Sequence, residues 1–194
     1  LMFNSNSIEK DFGKYIKEHS IAVSKLYKCI LDISNAIELI NHCYESKGKV
    51  LFFGNGGSAA DSQHLAAELV GRYKKNRKAI SAIALTTDSS IITAVANDMH
   101  FNKIFQRQVE GLANSNDILF AISTSGESIN VINAVKAGKK IGCKVVSLTG
   151  AKKSLLAKIS DVSIKAPSYD VNHIQELHIL IGHFICEIIE KNYK

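Results

Sequence analysis

The sequence predicts an α/β fold in which a parallel sheet is covered by helices on both faces. Continuous apolar runs at about 50–53, 79–85, 118–122 and 145–148 alternate with helical patterns. Strands buried on both faces read as such unbroken runs, without the polar alternation of a half-exposed sheet. Two of the runs lead into turns rich in glycine or hydroxyl residues, each opening a helix, and ligands bind at such strand ends in open α/β sheets. The length, 194 residues, suits one domain of ordinary size, with N-terminal helices over about 1–48 and an α/β core over 49–194.

In chain order, Ser7 to about Ser46 is helical. Ile21, Leu26, Ile30, Ile33, Ile37 and Ile40 recur at three- and four-residue spacing. Gly13 is the single glycine before Gly48, which predicts one short and one long helix. A hairpin of this kind packs on its own domain or on a neighbouring subunit. Lys47-Gly48-Lys49 is a turn, and the first strand follows. Asp88-Ser89-Ser90 caps a helix running to about Ala96. Asn97 to His100 is a polar interruption before the amphipathic segment Phe101 to Leu112. After the strand at 118–122, a helix covers about Ile129 to Ile141. The strand at 145–148, a helical turn near 154–159 and a short fifth strand at 162–164 lead to Pro167. One long helix, about Asp170 to Tyr193, closes the chain.

Composition narrows the class of protein. Hydrophobic residues make up 46% and charged residues 22%, the balance of a globular chain. No apolar run approaches the roughly 18–20 residues that span a bilayer. The first ten residues are polar where a signal peptide is apolar, so a cytoplasmic location is expected. Leu1 reads as an extra residue ahead of a natural start at Met2. Cys29, Cys43, Cys143 and Cys186 lie far apart in apolar segments, without a Cys-x-x-Cys pair, and read as buried free thiols. The net charge of +6 suits an anionic partner or a lysine-rich solvated surface. Basic residues cluster at Arg72 to Lys78, but no nucleic-acid-binding signature accompanies them.

Three places can carry chemistry. The turn Gly54-Asn55-Gly56-Gly57-Ser58 frees backbone N–H groups at a helix start, where anions bind. It is neither a Walker A loop nor a full Gly-x-Gly-x-x-Gly fingerprint. His64 and Glu68 follow four residues apart on one helix face, about 6 Å apart along the axis. Metal ligation, acid/base work and a surface ion pair are all open to them. The turn Ser123-Thr124-Ser125-Gly126-Glu127-Ser128 brings four hydroxyls to a helix N-terminus, more than capping needs, and suits a phosphate. On the last helix, His178 falls on the face of Ile174, Leu177, Ile181, Ile185 and Ile188. Gln175 and His183 share a different face with Ile179, Gly182 and Cys186.

Taken together, Gly54-Asn55-Gly56-Gly57-Ser58, His64-x-x-x-Glu68-Leu69, Gly71-Arg72-Tyr73, Ala96-Asn97-Asp98, Ser123-Thr124-Ser125-Gly126 and Ile174-Gln175-Glu176-x-His178 resemble bacterial phosphoheptose isomerases, which belong to the sugar isomerase (SIS) domain family. The resemblance implies a five-stranded parallel sheet flanked by helices. It also implies interconversion of sedoheptulose 7-phosphate and D-glycero-D-manno-heptose 7-phosphate through a cis-enediol, the first step towards lipopolysaccharide or capsule heptose. Carried over by motif, Asn55, Gly56, Gly57, Asn97, Asp98 and Gln175 contact the sugar, and Ser123, Thr124, Ser125 and Ser128 hold the phosphate. Glu68 also meets the substrate and forms the proton-transfer pair with His183. His64, Glu68, Gln175 and His183 are the zinc ligands of some members, one ion per subunit. The family works as a homotetramer with sites at subunit interfaces, and neither nucleic acid nor membrane is an implied partner.

Gln175 and His183 are eight residues apart, about 12 Å along a helix. Ligand bonds of about 2 Å would stretch both side chains fully, so the two are expected to reach any one site from different chains. Where many members have Arg-Ile-Gln-Glu, this sequence has His173-Ile174-Gln175-Glu176, a titratable imidazole for a permanent charge. The alternatives are a non-catalytic SIS relative that binds the replication initiator and a SIS protein acting on another phosphosugar.

Overall fold

The computed structural model describes residues 5–193; Leu1 and Met2 lie outside them. Five strands form one sheet: β1 (Val50–Gly54), β2 (Ala82–Ala84), β3 (Ile118–Ile122), β4 (Lys144–Thr149) and β5 (Val162–Lys165). Their order is β2-β1-β3-β4-β5, and every pairing is parallel. The helices are α1 (Ser5–Lys25), α2 (Ile30–Glu45), α3 (Gly57–Val70), α4 (Ser89–Asp98), α5 (Ile104–Leu112), α6 (Ile129–Ile141), α7 (Leu155–Ile159) and α8 (Val171–Asn192).

Alternation along the strands divides the core into two layers. Phe52, Ile118, Phe120, Ile122, Val146 and Leu148 face α2, α3 and α8, where Ile33, Ile37, Leu65, Leu69, Ile181 and Ile185 are buried. Leu51, Phe53, Leu119, Ala121 and Val145 face the other way, onto Phe105 and Val109 of α5 and Val131 and Val135 of α6. All four cysteines are buried free thiols. Among the described residues, no helix is long and apolar enough to cross a membrane.

The N-terminal helices do not divide at Gly13. Helix α1 runs through that residue, where a Cβ would meet nothing within 4 Å, and one glycine inside a helix costs only about 1 kcal/mol. The break falls at a 3-10 turn, Leu26–Cys29. Before it, Ala22 packs with Ala166, Ile174 and Leu177; after it, Ile33, Ile37 and Ile40 pack under the sheet. One straight helix cannot cover both surfaces. The second strand is also shorter than its apolar run, because β2 is an edge with one neighbour, and Ile80 instead donates its N–H to Leu69 O. Asn97 and Asp98 close α4 instead of interrupting the chain, and Phe101–Lys103 is a 3-10 turn ahead of α5. The other boundaries agree with the sequence to within a residue or two.

The sheet has its switch point between β1 and β3. From β1 the chain passes through α3 on one face to β2; from β3 it passes through α6 on the other face to β4. The turns after these adjacent strands therefore diverge and leave a crevice at their carboxyl ends, the place where such folds bind ligands.

Candidate active site

The glycine turn after β1 and the hydroxyl-rich turn after β3 flank that crevice. The first leaves β1 at Gly54, where a Cβ would lie 2.6 Å from Ile122 O, so only glycine lets β1 and β3 pass. Gly56 has φ +55, a conformation open to glycine at no steric cost. Gly57 begins α3, and its bare face lies under Gln175 of α8: a Cβ there would sit 2.7 Å from Gln175 Nε2. Asn55 is held across the crevice by Asn130, through Asn55 Nδ2 to Asn130 Oδ1 at 2.9 Å and Asn130 Nδ2 to Asn55 Oδ1 at 2.8 Å.

The second turn curls on itself. The Ser123 hydroxyl accepts the Gly126 N–H at 3.1 Å and lies 3.1 Å from the Ser128 hydroxyl. Ser125 Oγ accepts the Glu127 N–H, and Gly126 has φ +66. Ser128 stands at the N-cap of α6 without making the cap bond, so its hydroxyl is not spent on the helix. Thr124 and Ser125 line a cavity of about 340 Å³ together with Gly150, Lys152, Lys153 and Tyr169.

A third group lies along α3 and α8, which pack side by side. Gly182 admits Leu65, whose Cδ1 would be 2.6 Å from a Cβ there. This close approach brings His183 to His64 and Glu68. His183 Nε2 is 2.9 Å from His64 Nε2, and His64 Nε2 is 3.1 Å from Glu68 Oε1. The three ligand atoms all lie within 4.8 Å of one another. Ligands on a tetrahedral ion with bonds of about 2.0–2.1 Å stand about 3.3 Å apart, so two imidazoles and a carboxylate so placed fit three of the ligands of a zinc ion. Two Nε2 atoms facing at 2.9 Å also require at least one to present a lone pair. The Tyr73 ring tilts against His183 at 5.7 Å between centroids.

Several residues here escaped the sequence reading. Asp61 is one turn before His64, and its Oδ2 is buried without a partner. Burial pushes its pKa up to about 6, against a smaller opposing pull from His64. Its spacing of three from His64 was the available signal. Asn130 carried none, because an asparagine in the first turn of a helix is ordinary. Elsewhere, His178 is fully buried; its Nε2–H donates to Thr149 O at 3.1 Å, and its Nδ1 is buried without a partner. Burial lowers its pKa to about 4, outweighing that backbone contact. His173, at the position of the family's Arg, is also buried, edge-on to Tyr15 at 4.7 Å. Its neighbour Glu176 meets His19 Nδ1 at 2.6 Å and accepts the Tyr15 hydroxyl. Asn97 and Asp98 are bonded to each other at the exposed end of α4.

A family model described as "SIS domain" matches residues 14–150. A phosphoheptose isomerase of Campylobacter jejuni is 45% identical, the match covering 97% of this chain and 99% of that relative. The chain belongs to the phosphoheptose isomerases of the SIS domain family. Another family member, from Akkermansia muciniphila, is 42% identical over 92% of this chain and 97% of its own length. Among solved structures, phosphoheptose isomerase from Neisseria gonorrhoeae superposes with a TM-score of 0.90 at 38% identity, covering 95% of this chain and 99% of that one. The SIS architecture thus extends over the sheet and its flanking helices together.

Proposed function

We propose that this phosphoheptose isomerase interconverts sedoheptulose 7-phosphate and D-glycero-D-manno-heptose 7-phosphate, the first step of heptose precursor synthesis for lipopolysaccharide or capsule, in the cytoplasm. The observation that carries the reading is the convergence of His64, Glu68 and His183 on a chain whose β1–β3 crevice also carries a turn pair suited to a phosphosugar. Aldose–ketose isomerisation moves a proton between adjacent carbons through a cis-enediol and needs a base, an acid and a polarised carbonyl. Glu68 takes the proton from one carbon and returns it to the next. His183 moves protons on the sugar oxygens. Asn55, Gly56, Gly57, Asn97, Asp98 and Gln175 orient the sugar, while Ser123, Thr124, Ser125 and Ser128 hold the phosphate at the positive end of α6.

His64, Glu68 and His183 would hold zinc, with Gln175 as the fourth protein ligand. Bound there, zinc supplies Lewis-acid polarisation of the substrate carbonyl. Within one chain, Gln175 lies over Gly57, whereas His183 meets Glu68, eleven residues or about 16 Å farther along α3. That separation supports a homotetramer in which Gln175 and His183 complete sites from different copies. Ile8, Phe12 and Ile16, an exposed apolar row on α1 with four-residue spacing, supply surface for such packing.

Turnover of sedoheptulose 7-phosphate is the test, measured with chelator and with zinc restored. Glu68→Gln and His183→Ala should each lower kcat by about 100-fold or more. Near-normal turnover by either variant refutes the pairing.

A further inference from the structure

Asn130 is 3% exposed, sits in the first turn of α6, and belongs to neither the phosphate turn nor the metal group. We propose that Asn130 is a positioning residue that sets which way the Asn55 amide faces the sugar and ties the sugar turn to the phosphate turn. The inference rests on the reading that Asn55 touches the sugar.

The orientation follows from one backbone group. The first N–H groups of a helix lack partners within it, and the Ser128 hydroxyl does not cap α6. Asn130 Oδ1 accepts the Val131 N–H at 2.9 Å instead. Turned over, the amide would set its NH2 against that N–H, donor against donor, so Oδ1 must stay where it is. Asn55 Nδ2 then has to face Asn130 Oδ1, and Asn55 Oδ1 has to face Asn130 Nδ2. An asparagine amide has two N–H donors and two acceptor lone pairs. Asn130 spends both lone pairs and one donor on this arrangement. Asn55 spends one of each, leaving one N–H and one lone pair at fixed places on a half-buried residue in the crevice. Without Asn130 the Asn55 amide can rotate and exchange donor for acceptor, presenting the wrong pattern to the sugar hydroxyls.

The bond also crosses the switch point. Asn55 follows β1 and Asn130 lies on the helix after β3, so the lock joins two turns whose helices lie on opposite faces of the sheet. Order imposed on the first turn of α6 by a phosphate therefore reaches Asn55 directly.

The test is a double-mutant cycle on kcat and KM with sedoheptulose 7-phosphate, with thermal melting alongside. Asn55→Ala and Asn130→Ala should each lower kcat/KM by about 10- to 100-fold. The double variant should be no worse than Asn55→Ala alone, since Asn130 acts through Asn55. Asn130→Asp keeps the acceptor for the Val131 N–H and so the helix cap, but replaces the donor to Asn55 Oδ1 by an acceptor. It should impair the otherwise unmodified enzyme and cost nothing further in the Asn55→Ala background, and it carries the test if Asn130→Ala does not fold. Losses that multiply in the double variant, or Asn130 variants within twofold of the unmodified enzyme while Asn55→Ala is impaired, overturn the inference and leave the sugar reading of Asn55 standing. Full activity in Asn55→Ala refutes that reading, and the role of Asn130 with it.

Discussion

Replacing Glu190 by Gln changes one atom type at the end of α8 and removes the anchor of the basic loop. Glu190 Oε1 accepts the Tyr73 N–H at 2.9 Å, and Oε2 accepts the N–H groups of Lys74 and Lys75 at 2.8 and 2.9 Å. Arg77 Nε lies 3.2 Å from Oε1 as an ion pair, with side-chain exposures of 8% and 2%. That Nε has no well-directed hydrogen bond, so the contact is Coulombic, while the outer guanidinium nitrogens donate to Glu68 O and Leu69 O. Burial alone pushes the Glu190 pKa up; the three N–H donors and Arg77 outweigh it and hold the carboxyl below its ordinary value. In Glu190→Gln, one end of the new amide must face an N–H, donor to donor, and Arg77 loses its counter-charge. Breaking a buried pair from one side costs about 3–5 kcal/mol. At about 2–4 °C per kcal/mol for a chain of this size, the melting temperature should fall by roughly 6–20 °C at pH 7. A depressed carboxyl pKa contributes stability above the ordinary value and loses it as pH falls through the folded value. The gap between the two proteins should therefore stay full from pH 7 down to the ordinary value of 4.5, and narrow only as pH falls below that through the folded value. Scanning calorimetry at pH 7 and in acid well below the ordinary value measures it. A drop of less than about 2 °C at pH 7, or a gap that does not narrow in acid, refutes the reasoning.

Two further outcomes are expected. Gly57→Ala puts a Cβ 2.7 Å from Gln175 Nε2; the flexible amide must swing away, so kcat/KM should fall about tenfold while stability changes by less than about 1 kcal/mol. Equal losses in activity and folding would show that Gln175 merely packs. His178 has its pKa lowered from 6.5 to about 4 by burial. Between those values the unfolded chain binds a proton that the folded chain refuses, so stability should decline as pH drops from 6.5 to 4, by up to on the order of 3 kcal/mol. Melting curves of His178→Gln against pH should be flatter over that window; parallel curves would exclude the residue as the source.

Much of the fold was legible because its strands are buried on both faces. At 118–122 a five-residue apolar run follows a turn cluster and leads into a hydroxyl-rich turn, too short for a helix, and β3 has the expected bounds. The break between α1 and α2 was not legible, since it depends on which surfaces Ala22 and Ile33 each cover. The edge strand β2 was overextended for a related reason: an apolar run records burial, while strand length requires a neighbour to pair with. The basic cluster Arg72 to Lys78 read only as a local concentration of charge without a nucleic-acid-binding signature, yet Arg77 and three backbone N–H groups of that loop are engaged by Glu190, more than a hundred residues away.

The residues of the site divide along the same line. The turn Gly54–Ser58, the four-residue spacing of His64 and Glu68, and the hydroxyls of Ser123–Ser128 are local patterns, and local patterns are written in sequence. That His183 stands 2.9 Å from His64 across 119 residues depends on Gly182 letting α8 lie against Leu65. That Asn55 is held by Asn130 depends on the strand order, which makes β1 and β3 neighbours and sends their helices to opposite faces. Spacing along one helix or turn follows from backbone geometry alone. Contacts between elements follow from how complete layers pack, which no short stretch of sequence contains.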